Sequence, residues 1–149
     1  MARDLPKNGY IIITKNGKRG GGSSAVGKRP LGQWLKLSEK AAKNPRAIAH
    51  EFIHAIGFFH EHERFDRDKY LKFKKNKMSK KCFKSNFKLK TKSLSFGLPY
   101  DGRSVMHAPN TYCPKKGFRG TTIISKVSPT LQLSITVVST PPSSMQLSN

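Results

Sequence analysis

The stretch 49–70, AHEFIHAIGFFHEHERFDRDKY, constrains the fold of this chain more than any other. Inside it His50, Glu51, His54, Gly57 and His60 stand in the spacing H-E-x-x-H-x-x-G-x-x-H. On an α-helix, residues four apart share one face about 6 Å apart along the axis, so His50 and His54 can offer two imidazoles to one metal ion. Glu51 is the next residue round the helix, where its carboxylate can flank a metal-bound water as general base without being a ligand. His60 would lie about 15 Å up a continuous helix, out of reach of the same ion. The helix must therefore stop and the chain must fold back. Gly57 stands where that stop is needed, and glycine takes a left-handed helix end at little cost. His60 then returns as the third ligand. Three neutral imidazoles leave one zinc position open to water, which is the arrangement of a catalytic rather than a structural site.

The bland alternative is a polar helix face with scattered histidines. Ala47, Ile48, Phe52, Ile53, Ala55, Ile56, Phe58 and Phe59 argue against it, because they make the helix apolar round much of its circumference and predict that it is buried. A buried histidine needs a partner, and a metal supplies one. H-E-x-x-H alone recurs on unrelated helices. The glycine and the third histidine at these offsets make the pattern specific.

A chain of 149 residues is about one domain. Its formal charge is +21, with 29 Lys and Arg against 8 Asp and Glu, a balance that favours polyanions and opposes compaction by self-repulsion. No run approaches the length of a membrane-spanning helix, and MARDLPKNGY has no apolar core of a signal peptide. Two cysteines, Cys82 and Cys113, exclude a scaffold stapled by several disulfides. They are either ordinary thiols or one bridge, and spacing alone cannot decide.

Residues 10–14 (YIIIT) predict a strand, residues 16–27 a Gly/Ser loop, and the alternating 33–37 (QWLKL) a second, half-exposed strand. Ser38 can cap a helix, but Asn44 followed by Pro45 is the better start, and the helix is expected over 45–56. Residues 69–92 hold eleven lysines, Lys69 and Lys92 among them, interleaved with Tyr70, Phe73, Phe83 and Phe87. A short helix is expected near 80–86. The stretch is a candidate polyanion-binding surface using lysines and aromatic stacking, weighed against a solvated lysine face over core aromatics. From 128 the sequence turns to Ser, Thr and Pro without charge, predicting a poorly ordered tail over 128–149 with one strand at 131–138.

At this point the chain resembles a known family. HEFIHAIGFFHEHERFDRD, from His50 to Asp68, carries every specified position of the signature HExxHxxGxxHExxRxDRD of the astacin zinc metallopeptidases, a branch of the metzincins. SSAVGKRPLGQWLKL upstream, Asn86-Phe87, and LPYDGRSVMH at 98–107 are similar to the family's flanking segments, and His60 to Met106 spans 46 residues, close to the family's spacing to its Met-turn. The resemblance covers residues 10–127. It implies an α+β, metzincin-like fold: a small N-terminal sheet, the active-site helix, and an irregular C-terminal lobe closed by a Met-turn. By the same resemblance His50, His54 and His60 bind one Zn2+ per chain. Glu51 activates the zinc-bound water and shuttles its proton to the leaving amine, and Met106 forms a floor beneath the metal. Glu61 matches the glutamate that mature family members tie to a buried N-terminal amine. If the chain begins at Met1 that amine is lacking, and Arg64 is a candidate partner instead. The implied activity is a metalloendopeptidase acting on protein or peptide substrates, secreted by resemblance although no signal is visible.

The chain also departs from the family. Where the family has a tyrosine two residues after the Met-turn methionine, serving as a resting zinc ligand and an oxyanion donor, this chain has Ala108. Loss of one such donor costs about 10²–10³ in kcat. The two family cysteines that pair with each other fall at Gly22 and Ala42. Much of the family's N-terminal sheet and its last helix are expected to be missing, which makes the domain truncated at both ends and marginal in stability. His62 and His107 are read as non-ligands, and Arg64, Asp66, Arg67 and Asp68 as structural ion pairs. The alternative function is a catalytically impaired zinc-binding module, with polyanion binding through its lysines.

Overall fold

A computed structural model describes residues 9–17, 20–90 and 95–134. The run expected as the first strand forms β1 (Ile11–Lys15), and the alternating run forms β3 (Gln33–Leu37). In β3 the alternation is obeyed: Gln33, Leu35 and Leu37 are buried while Trp34 and Lys36 face out. Between them, inside the stretch expected as a loop, lies a further short strand, β2 (Gly22–Ser24). Glycine and serine carry little strand propensity. β2 exists because its backbone pairs antiparallel with β3, while β1 runs parallel to β3 on the other side, giving the order β1-β3-β2.

Both candidate caps are used. Ser38 Oγ accepts from Ala41 N at 3.1 Å and starts a one-turn helix, α1 (Glu39–Ala42). Asn44 Oδ1 accepts from Arg46 N at 3.0 Å and starts α2 (Pro45–Ala55), with Pro45 in its first turn. Ile56 closes α2, and Gly57 follows at φ +120°, a conformation that side-chain-bearing residues rarely adopt. The chain therefore turns back where the sequence requires it.

Leu35, Leu37 and Ala41 form a small core with Ala47 and Ile48 of α2. The helix is less buried than its composition predicts. Phe52 is 37% and Ile56 70% exposed, and within α2 only Glu51, His54 and Ala55 are buried. The reason is that α2 packs against β2, β3 and α1 on one side, while Ile53 and Ile56 line an open cavity on the other.

Beyond Gly57 the chain is mostly turns. Single 3-10 turns at Glu61–Glu63, Arg67–Lys69 and Lys75–Lys77 alternate with β4 (Leu71–Phe73), α3 (Lys80–Asn86) and β5 (Ile123–Ser125). β4 and β5 pair antiparallel. Leu71, Met78, Phe87, Ala108, Cys113, Ile123 and Leu133 form the larger core here. A disulfide joins Cys82 to Cys113, with Cα atoms 5.6 Å apart, and settles the question that spacing left open. The fold is thus of mixed helix and sheet. Residues 131–134 carry no strand; instead Leu133 is 2% exposed and its N–H donates to Asn110 Oδ1 at 2.7 Å. The remainder of the strand and tail expected there lies outside the described residues. Among the described residues no helix is long and apolar enough to cross a membrane.

Candidate metal centre

His50 and His54 project from one face of α2, and the Gly57 reversal brings His60 to meet them. The Nε2 atoms of His54 and His60 are 3.2 Å apart, and those of His60 and His50 3.3 Å. One ligand atom from each histidine lies within 4.8 Å of the others. Each ring is held from behind through Nδ1: His50 on the carbonyl of Val105 at 3.0 Å, His54 on the carbonyl of Phe58 at 2.8 Å, and His60 on Glu63 Oε2 at 2.9 Å. When Nδ1–H donates to these oxygens, each Nε2 is left with its lone pair aimed at the shared centre. Three lone pairs pointing at one another repel unless a cation stands between them. Imidazole nitrogens about 2.0–2.1 Å from a tetrahedral zinc stand about 3.3 Å from one another. The donor set therefore fits a zinc ion. Burial lowers the pKa of His50, and takes that of His54 down to about 4, which favours the neutral form that a ligand must have in these two rings.

Glu51 is 5% exposed, and its Oε2 is buried without a hydrogen-bond partner. Burial raises its carboxyl above the usual value, with the nearby His60 imidazole opposing. Its side chain lies over the backbone of Gly22: a Cβ at that position would meet Glu51 Oε1 at 2.7 Å. Sequence reasoning treats Gly22 only as the site of a missing cysteine. It also misses the backing carbonyls of Val105 and Phe58, for which no side chain is a signal. Glu63 is discoverable, because it stands three residues after His60.

Glu61 pairs with Arg64 Nη1 at 3.0 Å and accepts from Asp101 N at 2.9 Å. Arg64 is 8% exposed and also forks onto Asp66, at 3.0 and 2.9 Å. Arg64 is therefore the partner of Glu61 that the sequence suggested. Arg67 pairs with Asp68 at 3.4 Å. Met106 is 4% exposed, its carbonyl accepts from Glu61 N at 3.0 Å, and it lines both cavities beside His60.

His62 and His107 are buried and stand outside the converging triad, although the His62 ring stacks on that of His60 with centroids 5.0 Å apart. His62 Nδ1 accepts from Ala108 N at 3.1 Å, and burial pushes its pKa down to about 2. His107 Nε2 meets the Tyr100 hydroxyl at 2.7 Å. That bond engages the Tyr100 hydroxyl, and the Tyr112 hydroxyl donates to Asn86 Oδ1 at 3.4 Å. Ala108 is 5% exposed, in the core. Beside it a cavity of about 240 Å³ opens between His50, His60, Arg46 and Tyr112. A second cavity, of about 430 Å³, lies between His60, Met106, Ile53, Phe58, Phe96 and Leu98.

Comparison with known proteins agrees with this geometry. Residues 2–138 match the model of the Astacin peptidase family. The zinc metalloproteinase nas-8 of Steinernema carpocapsae is 37% identical over 118 residues, covering 78% of this chain and 27% of that protein. An astacin-like metalloendopeptidase of Coturnix japonica is 40% identical over 109 residues, covering 72% of this chain and 26% of that protein. The chain thus spans about a quarter of the length of these curated relatives. Among solved structures, high choriolytic enzyme 1, a hatching enzyme zinc-protease from Oryzias latipes, shares the fold with a TM-score of 0.73 at 24% identity, covering 91% of this chain and 64% of that one.

Proposed function

The chain belongs to the astacin family of peptidases, and on that premise we propose that it is a zinc-dependent metalloendopeptidase centred on His50, His54 and His60. The observation that carries the proposal is the convergence of three backed imidazoles on one point, 3.2 and 3.3 Å apart, next to the unpaired Glu51 carboxylate. One Zn2+ would be held by the three Nε2 atoms. When bound, it supplies Lewis-acid chemistry, polarising a carbonyl and making water a stronger acid.

The rest is done by the chain itself. Val105, Phe58 and Glu63 fix the tautomer and orientation of the three rings and raise their basicity. Glu51 Oε2, free of any partner, takes the proton of the attacking water and delivers it to the leaving amine nitrogen. Burial, by raising the Glu51 pKa, makes it a better proton acceptor. Met106 serves as the apolar floor of the centre, and Glu61 with Arg64 fixes the turn that carries His60. The substrate class is a peptide or protein. The proposal also divides the chain into a metallopeptidase domain over residues 1–127 and a Ser/Thr/Pro-rich tail over 128–149. It assigns the protein to a secreted setting, which the Cys82–Cys113 disulfide supports. A polyanion is the partner of the basic stretch 69–92.

One observation favours a second reading, a zinc-binding module of low turnover. Position 108 offers only a buried methyl, and the hydroxyls of Tyr100 and Tyr112 are engaged by His107 and Asn86, so neither of these two tyrosines stands ready as an oxyanion donor. Zinc content and cleavage of a quenched peptide, measured together on the folded chain, test both readings. Under the first, Glu51→Gln leaves only a small residual cleavage and keeps the zinc. Under the second, cleavage is weak and Ala108→Tyr raises it. A purified folded chain without zinc affinity would sink both.

A further inference from the structure

We infer that the basic stretch is one half of a discontinuous cationic face that holds a sulfated glycosaminoglycan. Residues 69–134 carry sixteen lysines and arginines and a single acid, Asp101. The fold concentrates these charges. The Lys75–Lys77 turn and α3 are joined to the segment 113–116: Lys115 N donates to the Lys77 carbonyl and Ser79 N to the Cys113 carbonyl, each at 2.9 Å, and the Cys82–Cys113 disulfide ties the two together. Lys75, Lys77, Lys80, Lys81, Lys115 and Lys116 are all exposed on this unit. Among the described residues none of the six is in an ion pair. The acids just before the basic stretch pair elsewhere: Glu61 and Asp66 with Arg64, Glu63 with His60 and Lys90, and Asp68 with Arg67. The lysine-rich turn alone would be an ordinary solvated run. Pinning it beside a second basic segment gives a patch of fixed spacing and uncompensated charge.

The kind of polyanion follows from the aromatics and the disulfide. The rings interleaved with the lysines are not a base-stacking platform. Tyr70 stacks on Tyr100 at 4.6 Å, Phe83 stacks on Phe87 at 5.2 Å, and Phe73 meets both edge-on. Phe87 is 2% exposed. Phe87 lies in the core with Phe73 and Phe83 packed against it, the arrangement of the alternative weighed above, a lysine face over core aromatics. A face made chiefly of lysine ammonium groups offers point charges, which suit sulfates. A disulfide persists in oxidising, extracellular surroundings, where sulfated polysaccharides are the polyanion at hand.

The test uses the full chain with its disulfide intact and a size-defined heparin oligosaccharide as probe. It is run with and without EDTA, so that its outcome does not depend on the metal centre. Lys77→Ala/Lys80→Ala/Lys115→Ala/Lys116→Ala is compared with Lys28→Ala/Lys36→Ala/Lys40→Ala/Lys43→Ala, which has the same net charge, both checked for unchanged thermal unfolding. Calorimetry at physiological ionic strength is expected to show about a tenfold or greater loss of affinity in the first variant and less than about a twofold loss in the second. Equal losses in the two would overturn the proposal, because net charge alone would then account for binding. So would tighter binding of a single-stranded oligonucleotide of matched charge.

Discussion

Replacing Gly22 by alanine tests the role of Glu51 without touching the histidines. The added methyl would stand 2.5 Å from Glu51 Cγ, 2.7 Å from Oε1 and 2.8 Å from Cδ. Carbon atoms in ordinary contact are about 3.5–4.0 Å apart, so one side must give by about 1 Å. Gly22 is held by its pairing opposite Leu37, whereas no hydrogen bond holds Glu51 Oε2 in place. The carboxylate will therefore move and the strand will stay. A misplacement of 1 Å in a reacting group costs about 10²-fold in rate. We expect kcat/KM on a quenched peptide to fall by about that factor in Gly22→Ala, while zinc stoichiometry, read by mass spectrometry of the dialysed protein, stays unchanged. In a Glu51→Gln background the same substitution should have no further effect, since both changes act through one carboxylate. Undiminished activity in Gly22→Ala would refute the reasoning. So would a further fall in the Glu51→Gln background, which would mean that the substitution acts by some route other than Glu51.

His54→Ala should abolish zinc binding in equilibrium dialysis, and wild-type chain at zinc about 100-fold above its Kd should gain about 2.7 kcal/mol of stability that the variant lacks. The Cys82–Cys113 disulfide closes a loop with a sequence separation of 31, which chain-entropy arithmetic values at about 3.5–4 kcal/mol. Reductant should therefore lower the unfolding temperature of the wild type and leave Cys82→Ala/Cys113→Ala unaffected; equal temperatures for oxidised and reduced wild type would contradict this. Arg64→Met strands the Glu61 and Asp66 carboxylates in poorly solvated surroundings, and urea unfolding should report a loss of about 3–5 kcal/mol. Its hydrogen bonds also hold the Asp66 carboxyl below its ordinary value of 3.8. A depressed acid contributes stability that is present above its unfolded pKa and lost as pH falls through the folded one. Wild type should lose that increment below about pH 3.8, and an acid titration of Arg64→Met monitored by circular dichroism should show the component missing.

The parts of this protein readable from its sequence are those set by local geometry. The spacing of His50, His54 and Glu51 is fixed by helical pitch, and the need for a reversal before His60 follows from the same pitch, so Gly57 could be assigned its role unseen; the structure places it at φ +120°. The Asn44-Pro45 start of α2, the alternation of β3 and the short α3 were legible for the same reason, because each depends on contacts within a few residues. Tertiary contacts decided what no window of sequence contains. β2 lies in a Gly/Ser run and becomes a strand only because β3 offers it hydrogen bonds. Cys82 and Cys113 are bonded because β4, α3 and the following loops fold onto one core, not because of their separation. The apolar side of α2 was expected to be buried, yet part of it lines a cavity, since how much covers a helix depends on the size of what packs against it. The deepest division lies within the metal centre itself. The sequence determined which three nitrogens could meet. Only the fold decided that Val105, Phe58 and Glu63 stand behind the rings, that Glu51 rests on the bare backbone of Gly22, and that a cavity remains beside Ala108. Those are relations between segments far apart in the chain or carried by backbone atoms, which every residue has and no residue type advertises.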